Sequence, residues 1–280
     1  MRIVDFVLPA SLAEAREALL ELGPAGLPLA GATTLMFRPG HRPATAVDLT
    51  RCGLSGITRV KGSFHLGAAT PIAALEDFRA DGWVLGRVAD SFVTQQIRNQ
   101  STVGGNVARV FPWSDFAVAL QALDCWFVIE GAAPRRLGSD EYFKGQPARL
   151  YQPGDLLIRI EVPAVGPGEG FGYHKQTRTA AGFSQATAAA WLKVAGGKIQ
   201  AARVALGAAV PLPRRLRELE AAVVGQPARE AAVREAVGPA LAGLKPVATA
   251  GFTREYVGHL ATVVVGDVLA QALRMAGGAS

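Results

Sequence analysis

Cysteine is nearly absent from this sequence: among 280 residues there are two, Cys52 and Cys125. Two thiols exclude a disulfide framework, a four-cysteine zinc site and any iron–sulfur cluster held by four thiolates of this chain alone. Metal chemistry that serves the protein belongs elsewhere. Lysine is scarce as well, six against 23 arginines, and no basic run exceeds the pairs Arg135-Arg136 and Arg214-Arg215. A net charge of +6 with no basic stripe, no interleaved aromatics and no nucleic-acid motif describes an ordinary basic surface, open to docking by an acidic partner protein. Long apolar runs are missing too. The N-terminal stretch carries Asp5 and Glu14 and does not read as a signal peptide. The most apolar late stretch, Val257 to Leu273, is broken by His259, Asp267 and Gln271, which suits an amphipathic core helix better than a membrane span. The expectation is a soluble, cytoplasmic protein. Finally, no G-x-G-x-x-G follows a strand pattern and no G-x-x-x-x-G-K-[ST] occurs, which speaks against a doubly wound dinucleotide fold and a P-loop. Gly166, Gly168, Gly170 and Gly172 imitate a nucleotide loop, but their spacing is wrong and their flanks read as a linker.

What remains is ample for a core. Half of the residues are hydrophobic and 19% are charged, and at roughly 150 residues per domain the length favours two domains. Ser11 followed by Glu14 is a capping box, and Leu12, Ala15, Leu19 and Leu22 repeat at helical spacing before Gly23. Strands are expected at 27–30, 46–49, 57–60 and 64–67, the last two joined by the turn Lys61-Gly62-Ser63, with a helix capped by Thr70-Pro71 running through Phe78. A helix over 115–123 and strands over 125–130 and 156–162 follow. The Pro/Gly cluster 163–170 marks a domain boundary. Beyond it, 171–176, 186–194 and 198–206 read as three antiparallel strands, the last two joined at Gly196-Gly197, and from Arg214 onward the pattern is helical. The fold class is α+β, with domains over 1–165 and 171–280.

Two small-residue segments suit anion binding. Leu29-Ala30-Gly31-Ala32-Thr33-Thr34-Leu35 runs from a strand into a turn where backbone N–H groups and two hydroxyls can converge, as a pyrophosphate requires. Thr102-Val103-Gly104-Gly105-Asn106 offers a second narrow turn. An ordinary tight turn is the other reading of each.

Taken together and in order, these segments resemble a known family. QIRNQSTVGGNVA (96–108) resembles the signature of the FAD-binding subunits or domains of the molybdenum hydroxylases, which include xanthine dehydrogenase, aldehyde oxidase and carbon monoxide dehydrogenase. AGATTL, FHLGAATPIAALE, FPWSDFAVALQALDC, GDLLIRIEVP and YHKQTR fall in the same order, so the likeness spans essentially the whole chain. It implies a two-lobed FAD-binding domain of the PCMH type, followed by a C-terminal domain of a three-stranded antiparallel sheet plus helices. FAD would sit on this chain, its pyrophosphate wrapped by Ala30 to Leu35, next to Leu29, and closed over by Thr102 to Asn106. Asp115, beside Ser114, would bond ribityl or ribose hydroxyls; an N-terminal helix cap is the rival role for that pair. Phe92, Ile97, Leu156 and Leu157 would lie near the cofactor, although each also suits a core. Lys175 would stand near the flavin as a cation favouring its anionic reduced form, with an exposed strand lysine as the alternative. Ala32 departs from the Ala-Gly-Gly usual in the family, and alanine resists φ > 0.

The function implied is electron transfer. Partner chains would be a large molybdopterin subunit and a small subunit with two [2Fe-2S] clusters, assembled as a dimer of heterotrimers, with no nucleic acid and no membrane insertion. Substrate and terminal acceptor (NAD, oxygen or a quinone) are not encoded here. A stand-alone FAD oxidoreductase acting directly on a small substrate is the alternative and would need an acid or base, for which His174 and Lys175 are the candidates. A structural or assembly protein without flavin is a third reading.

Overall fold

The computed structural model describes residues 2–34, 42–179, 181–248 and 251–278, which divide into two compact units. The first comprises Met1–Phe78, Thr94–Arg109 and Cys125–Val162; the second comprises Arg79–Val93, Val110–Asp124 and Pro163–Ser280. Leu35 lies outside the described residues.

In the first unit the capping box forms as the sequence demands. Ser11 Oγ accepts from the Glu14 N–H at 3.2 Å, and Glu14 Oε2 reaches back one residue further than usual, to the N–H of Ala10 at 2.8 Å. The helix Leu12–Leu22 ends at Gly23, whose φ of +51° suits glycine. Beneath it lies a parallel sheet with strand order Arg2–Val7, Pro43–Asp48, Gly26–Leu29; its first strand carries no clear signal in the sequence. A second sheet has the order Ile57–Val60, Ser63–Gly67, Leu156–Pro163, Trp126–Glu130, Arg135–Gly138. Its first hairpin turns on Lys61 and Gly62, both at positive φ, the conformation a two-residue hairpin loop needs. Ala15, Leu19, Val47, Leu49, Cys52, Leu54 and Leu156 form one buried cluster joining helix and sheets. One expected cap does not form. Pro71, not Thr70, precedes the helix Ile72–Asp77, because the buried Thr70 Oγ1 is taken by both the N–H and the carbonyl of Gly56.

The second unit is built on an antiparallel sheet of order Arg214–Arg215, Lys198–Gly207, Ser184–Ala195, Glu169–Thr177. The two-residue edge strand adds a fourth member to the three expected, and it occupies the start of the stretch read as helical. Because strand side chains alternate, the sheet has two distinct faces. Ala186, Ala188, Ala190 and Leu192 face the helix Arg254–Met275, packing with Val264, Val268 and Leu269 in a continuous core. Among the described residues this helix is the one long and apolar enough to cross a membrane, and here it is a core helix. Gly170, the last residue of the cluster read as linker, and Gly172, within the expected strand 171–176, both lie inside the strand Glu169–Thr177. A Cβ on either would sit about 2 Å from a carbonyl oxygen of that helix, Ala272 or Val268, so both glycines serve close packing. The opposite face receives the fully buried helix Asp115–Leu123, and Gly207 makes room for Val118.

Candidate functional site

In the first unit the structure brings the two small-residue segments together. Gly31 lies flat against the chain at Gln100 and Ser101: a Cβ there would fall 1.9 Å from the Gln100 carbonyl oxygen. Beside it Thr33 Oγ1 and Ser101 Oγ share a hydrogen bond of 2.8 Å. Among the described residues the N–H groups of Gly31 and Ala32 make no hydrogen bond, leaving them available to a ligand. Ala32 is exposed and takes φ +60°, the left-handed conformation that its family position as glycine anticipates.

The second segment is arranged differently from a free donor loop. Thr102 caps the helix Val103–Ala108, its Oγ1 accepting from Gly105 N–H at 3.1 Å. Val103 N–H donates to the Thr70 carbonyl, Gly104 N–H to Ala68, and Asn106 N–H to Thr102. All four amides are therefore spent internally. The glycines act through shape: Gly104 lets the helix touch Ala68, where a Cβ would lie 2.5 Å from its carbonyl oxygen, and Gly105 is exposed with only Thr102 Oγ1 near the place of a Cβ. Asn106 supplies the free polarity, because its Oδ1 is enclosed and has no partner. Ile97 is half-buried in the helix Gln95–Gln100, while Leu156 and Leu157 are buried, Leu156 within the unit's core cluster.

The second unit gathers Asp115, Lys175 and Phe92. Asp115 opens its helix, but neither it nor Ser114 caps through its side chain; Ser114 Oγ accepts from the N–H of Phe111 instead. The Asp115 carboxylate takes Lys175 Nζ on Oδ2 and the Tyr173 hydroxyl on Oδ1, both at 2.8 Å. Lys175 is no exposed strand lysine: its side chain is 7% exposed, that of Asp115 3%, and Nζ stands 5.7 Å from the centre of the Phe92 ring. Phe92 is itself buried against Phe116. Burial pushes the Asp115 carboxyl above its ordinary range, opposed by the charge and hydrogen bond of Lys175 and by the Tyr173 hydroxyl. Burial likewise raises the Tyr173 phenol, with the Asp115 charge adding to it. Tyr173 is the member that sequence reading passed over. Its signal was the spacing Tyr173-x-Lys175, which puts both side chains on one face of a strand.

His174 points to the other face, 3.2 Å from Asp267 of the helix Arg254–Met275. Neither candidate acid or base for a self-contained oxidoreductase is thus an unengaged group. Among the described residues no cluster of three or more His, Cys, Asp or Glu could hold a metal ion.

The class that this architecture defines is that of flavin-carrying oxidoreductase subunits. Carbon monoxide dehydrogenase from Hydrogenophaga pseudoflava contains a chain that superposes with a TM-score of 0.91 at 27% identity, covering 98% of each chain. Quinoline 2-oxidoreductase from Pseudomonas putida 86 gives 0.86 at 25% identity over 97% of each. In sequence, the carbon monoxide dehydrogenase medium chain of Afipia carboxidovorans is 30% identical over 269 residues, 93% of either chain, and the caffeine dehydrogenase subunit beta of a Pseudomonas species is 28% identical over 235 residues, 80% of this chain and 79% of that one. The chain belongs to the family described as the FAD binding domain in molybdopterin dehydrogenase, matched over residues 2–165, and carries the CO dehydrogenase flavoprotein C-terminal domain over 171–272. It is an FAD-binding medium subunit of this oxidoreductase family, with an electron-transfer role.

Proposed function

We propose that this chain holds the flavin of a cytoplasmic, heteromeric dehydrogenase in which a large partner chain carries the molybdenum–pterin centre and a small partner chain carries two [2Fe-2S] clusters, the set forming a dimer of heterotrimers. Relatives named as medium chains and subunits support the assembly, and two cysteines in this chain leave cluster ligation to a partner. In this reading residues 1–165 are the FAD-binding domain and 171–280 the C-terminal flavoprotein domain.

The observation that carries the cofactor assignment is the enclosed, unpartnered Oδ1 of Asn106 beside the bare backbone of Gly105. A buried amide oxygen without a partner costs about 1–3 kcal/mol, so a ligand that supplies a hydrogen there is favoured. The residues present fit FAD. The segment 29–35, through the N–H groups of Gly31 and Ala32 and the hydroxyls of Thr33 and Thr34, would hold the pyrophosphate; Thr102 to Asn106 would close over it by shape, with Asn106 Oδ1 accepting from a hydroxyl or amino hydrogen of the FAD and not from the pyrophosphate. Asp115, next to Ser114, would hold hydroxyls of the sugar chain. Phe92, Ile97, Leu156 and Leu157 would each lie near the cofactor, and Lys175 would supply a fixed positive charge. Bound FAD contributes the ability to take up and release one or two electrons; the chain's part is to bind, orient and set the local charge. The acceptor is an external one, such as NAD, oxygen or a quinone.

Isolation from the native source tests this directly. A flavin spectrum with two co-purifying chains bearing molybdenum and iron is expected; a yellow monomer that turns over substrate alone would sink the reading. For the loop assignment, Thr102→Ala combined with Gly105→Val removes a cap worth about 1 kcal/mol and fills the exposed face with two methyl groups, the first change clearing the hydroxyl nearest the second. The variant should remain folded by circular dichroism yet retain under a tenth of the wild-type flavin, roughly the effect of losing 1.4 kcal/mol or more of binding. Full occupancy would contradict the assignment.

A further inference from the structure

Both oxygens of the buried Asp115 carboxylate are occupied by donors from one strand, and only one of those donors is charged. Lys175 provides the counter-charge. Tyr173, two residues earlier on the same face and 5% exposed, donates a neutral hydrogen bond to the opposite oxygen. A phenylalanine would fill the same space against the sheet; what the tyrosine adds is a single hydroxyl hydrogen aimed at Oδ1.

We propose that Tyr173 is a positioning residue: by donating to Oδ1 it keeps Asp115 ionised and turned so that Oδ2 faces Lys175, and thereby holds the Lys175 ammonium, charged, beside Phe92. The carboxylate would otherwise rest in a dry site on one ion pair alone, free to rotate about its Cβ–Cγ bond or to take up a proton, and either change releases Nζ. Lys175 and Tyr173 are the titratable groups that act on Asp115 from the elements packed against its helix. The sign of the linkage follows. A carboxyl that titrates higher folded than unfolded contributes stability at low pH and withdraws it as pH rises through the folded value. Removing the Tyr173 hydroxyl moves that value higher still, so the deficit of the variant is widest where Asp115 is ionised and narrows where it is protonated.

The test is Tyr173→Phe in the full chain, unfolded in urea at a series of pH values from acid to neutral that spans the titration of Asp115. The unfolding constant should exceed the wild-type value by roughly tenfold to a hundredfold at the upper end, the range for a hydrogen bond to a charged group, and approach it at the lower end. In an Asp115→Asn background, where no charge needs holding, the same substitution should produce a difference that does not vary with pH. A deficit constant across pH in the wild-type background would mean that the hydroxyl merely packs, and would overturn the proposal.

A second readout rests on the reading of Asp115 and Lys175 as flavin neighbours. In the assembled, FAD-loaded protein, Tyr173→Phe should keep full flavin content while the pH dependence of the flavin reduction potential shifts. An unshifted potential with the stability effect present would refute the flavin assignment of Lys175 and leave the role of Tyr173 intact, so the two failures are distinguishable.

Discussion

At Ala32 an L-residue occupies backbone space that glycine adopts freely: φ is +60° and the residue is exposed, with no packing to explain the choice. The left-handed conformation costs about 1–2 kcal/mol for a residue with a Cβ, and glycine would return about 0.5–1 kcal/mol of that through its greater freedom when unfolded. Ala32→Gly should therefore stabilise the chain by about 0.5–1 kcal/mol, read as a higher urea midpoint at unchanged slope. A midpoint that stays or falls would show that the strain is not relieved. The sequence made this question visible, since the family pattern has glycine there. The need for Gly31 was not visible. It comes from the carbonyl of Gln100, 69 residues along the chain, and no local pattern encodes that approach. The same distance hid the true partners of Asp115: as a helix-opening acid it reads locally as a cap, whereas a strand 58 and 60 residues away supplies the donors that claim it.

Among the elements, those with strong local chemistry were legible. The helix Leu12–Leu22 shows its cap, period and terminating glycine in sequence, and the hairpin at Lys61-Gly62 shows its turn. The strand expected over 171–176 begins two residues earlier, at Glu169, a start hidden because Gly170 looks like a linker residue; Gly170 and Gly172 make contact with a helix that lies about a hundred residues later. In the five-stranded sheet a charge arrangement emerges that alternation alone would not suggest. Glu161 accepts from Arg159, two residues back on its own strand, and from Arg136 on the edge strand one further over, with His65 4.0 Å away. Burial works against the charged carboxylate, but the hydrogen bonds and charges of the two arginines together hold Glu161 below its ordinary value near 4.5. Its stabilising contribution is complete above that value and is lost as pH falls through the lower, folded one. With both arginines partly exposed and screened, Glu161→Gln should cost only about 1 kcal/mol at neutral pH. The wild-type and variant urea midpoints should converge as pH falls through the lowered, folded titration of Glu161. Parallel pH profiles would mean that the ion pairs contribute nothing.

For the whole molecule, the boundary written in the sequence and the boundary of compact folding are different things. The family models change over between residues 165 and 171, whereas the second compact unit also owns Arg79–Val93 and Val110–Asp124. Those insertions are not decoration. Leu85, Val88, Phe92, Phe116, Leu120 and Leu123 are all buried, and at about 1.5–3 kcal/mol for each large apolar side chain they represent on the order of 10 kcal/mol of burial. That is comparable with the whole stability of a typical domain. A chain cut after residue 165 therefore strands two helices of the second unit, Leu85–Asp90 and Asp115–Leu123, on the wrong fragment: residues 1–165 would carry them without the sheet that Gly207, Tyr173 and Lys175 bring to the helix Asp115–Leu123. Residues 171–280, in turn, would expose the sheet face that the helix Asp115–Leu123 covers. Each fragment expressed alone should bind a hydrophobic dye and aggregate, while co-expression of the two should restore a soluble complex with a sigmoidal urea transition. A fragment 1–165 that is monomeric and unfolds cooperatively by itself would refute this, and would mean that the two inserted helices find shelter within the first hundred and sixty-five residues.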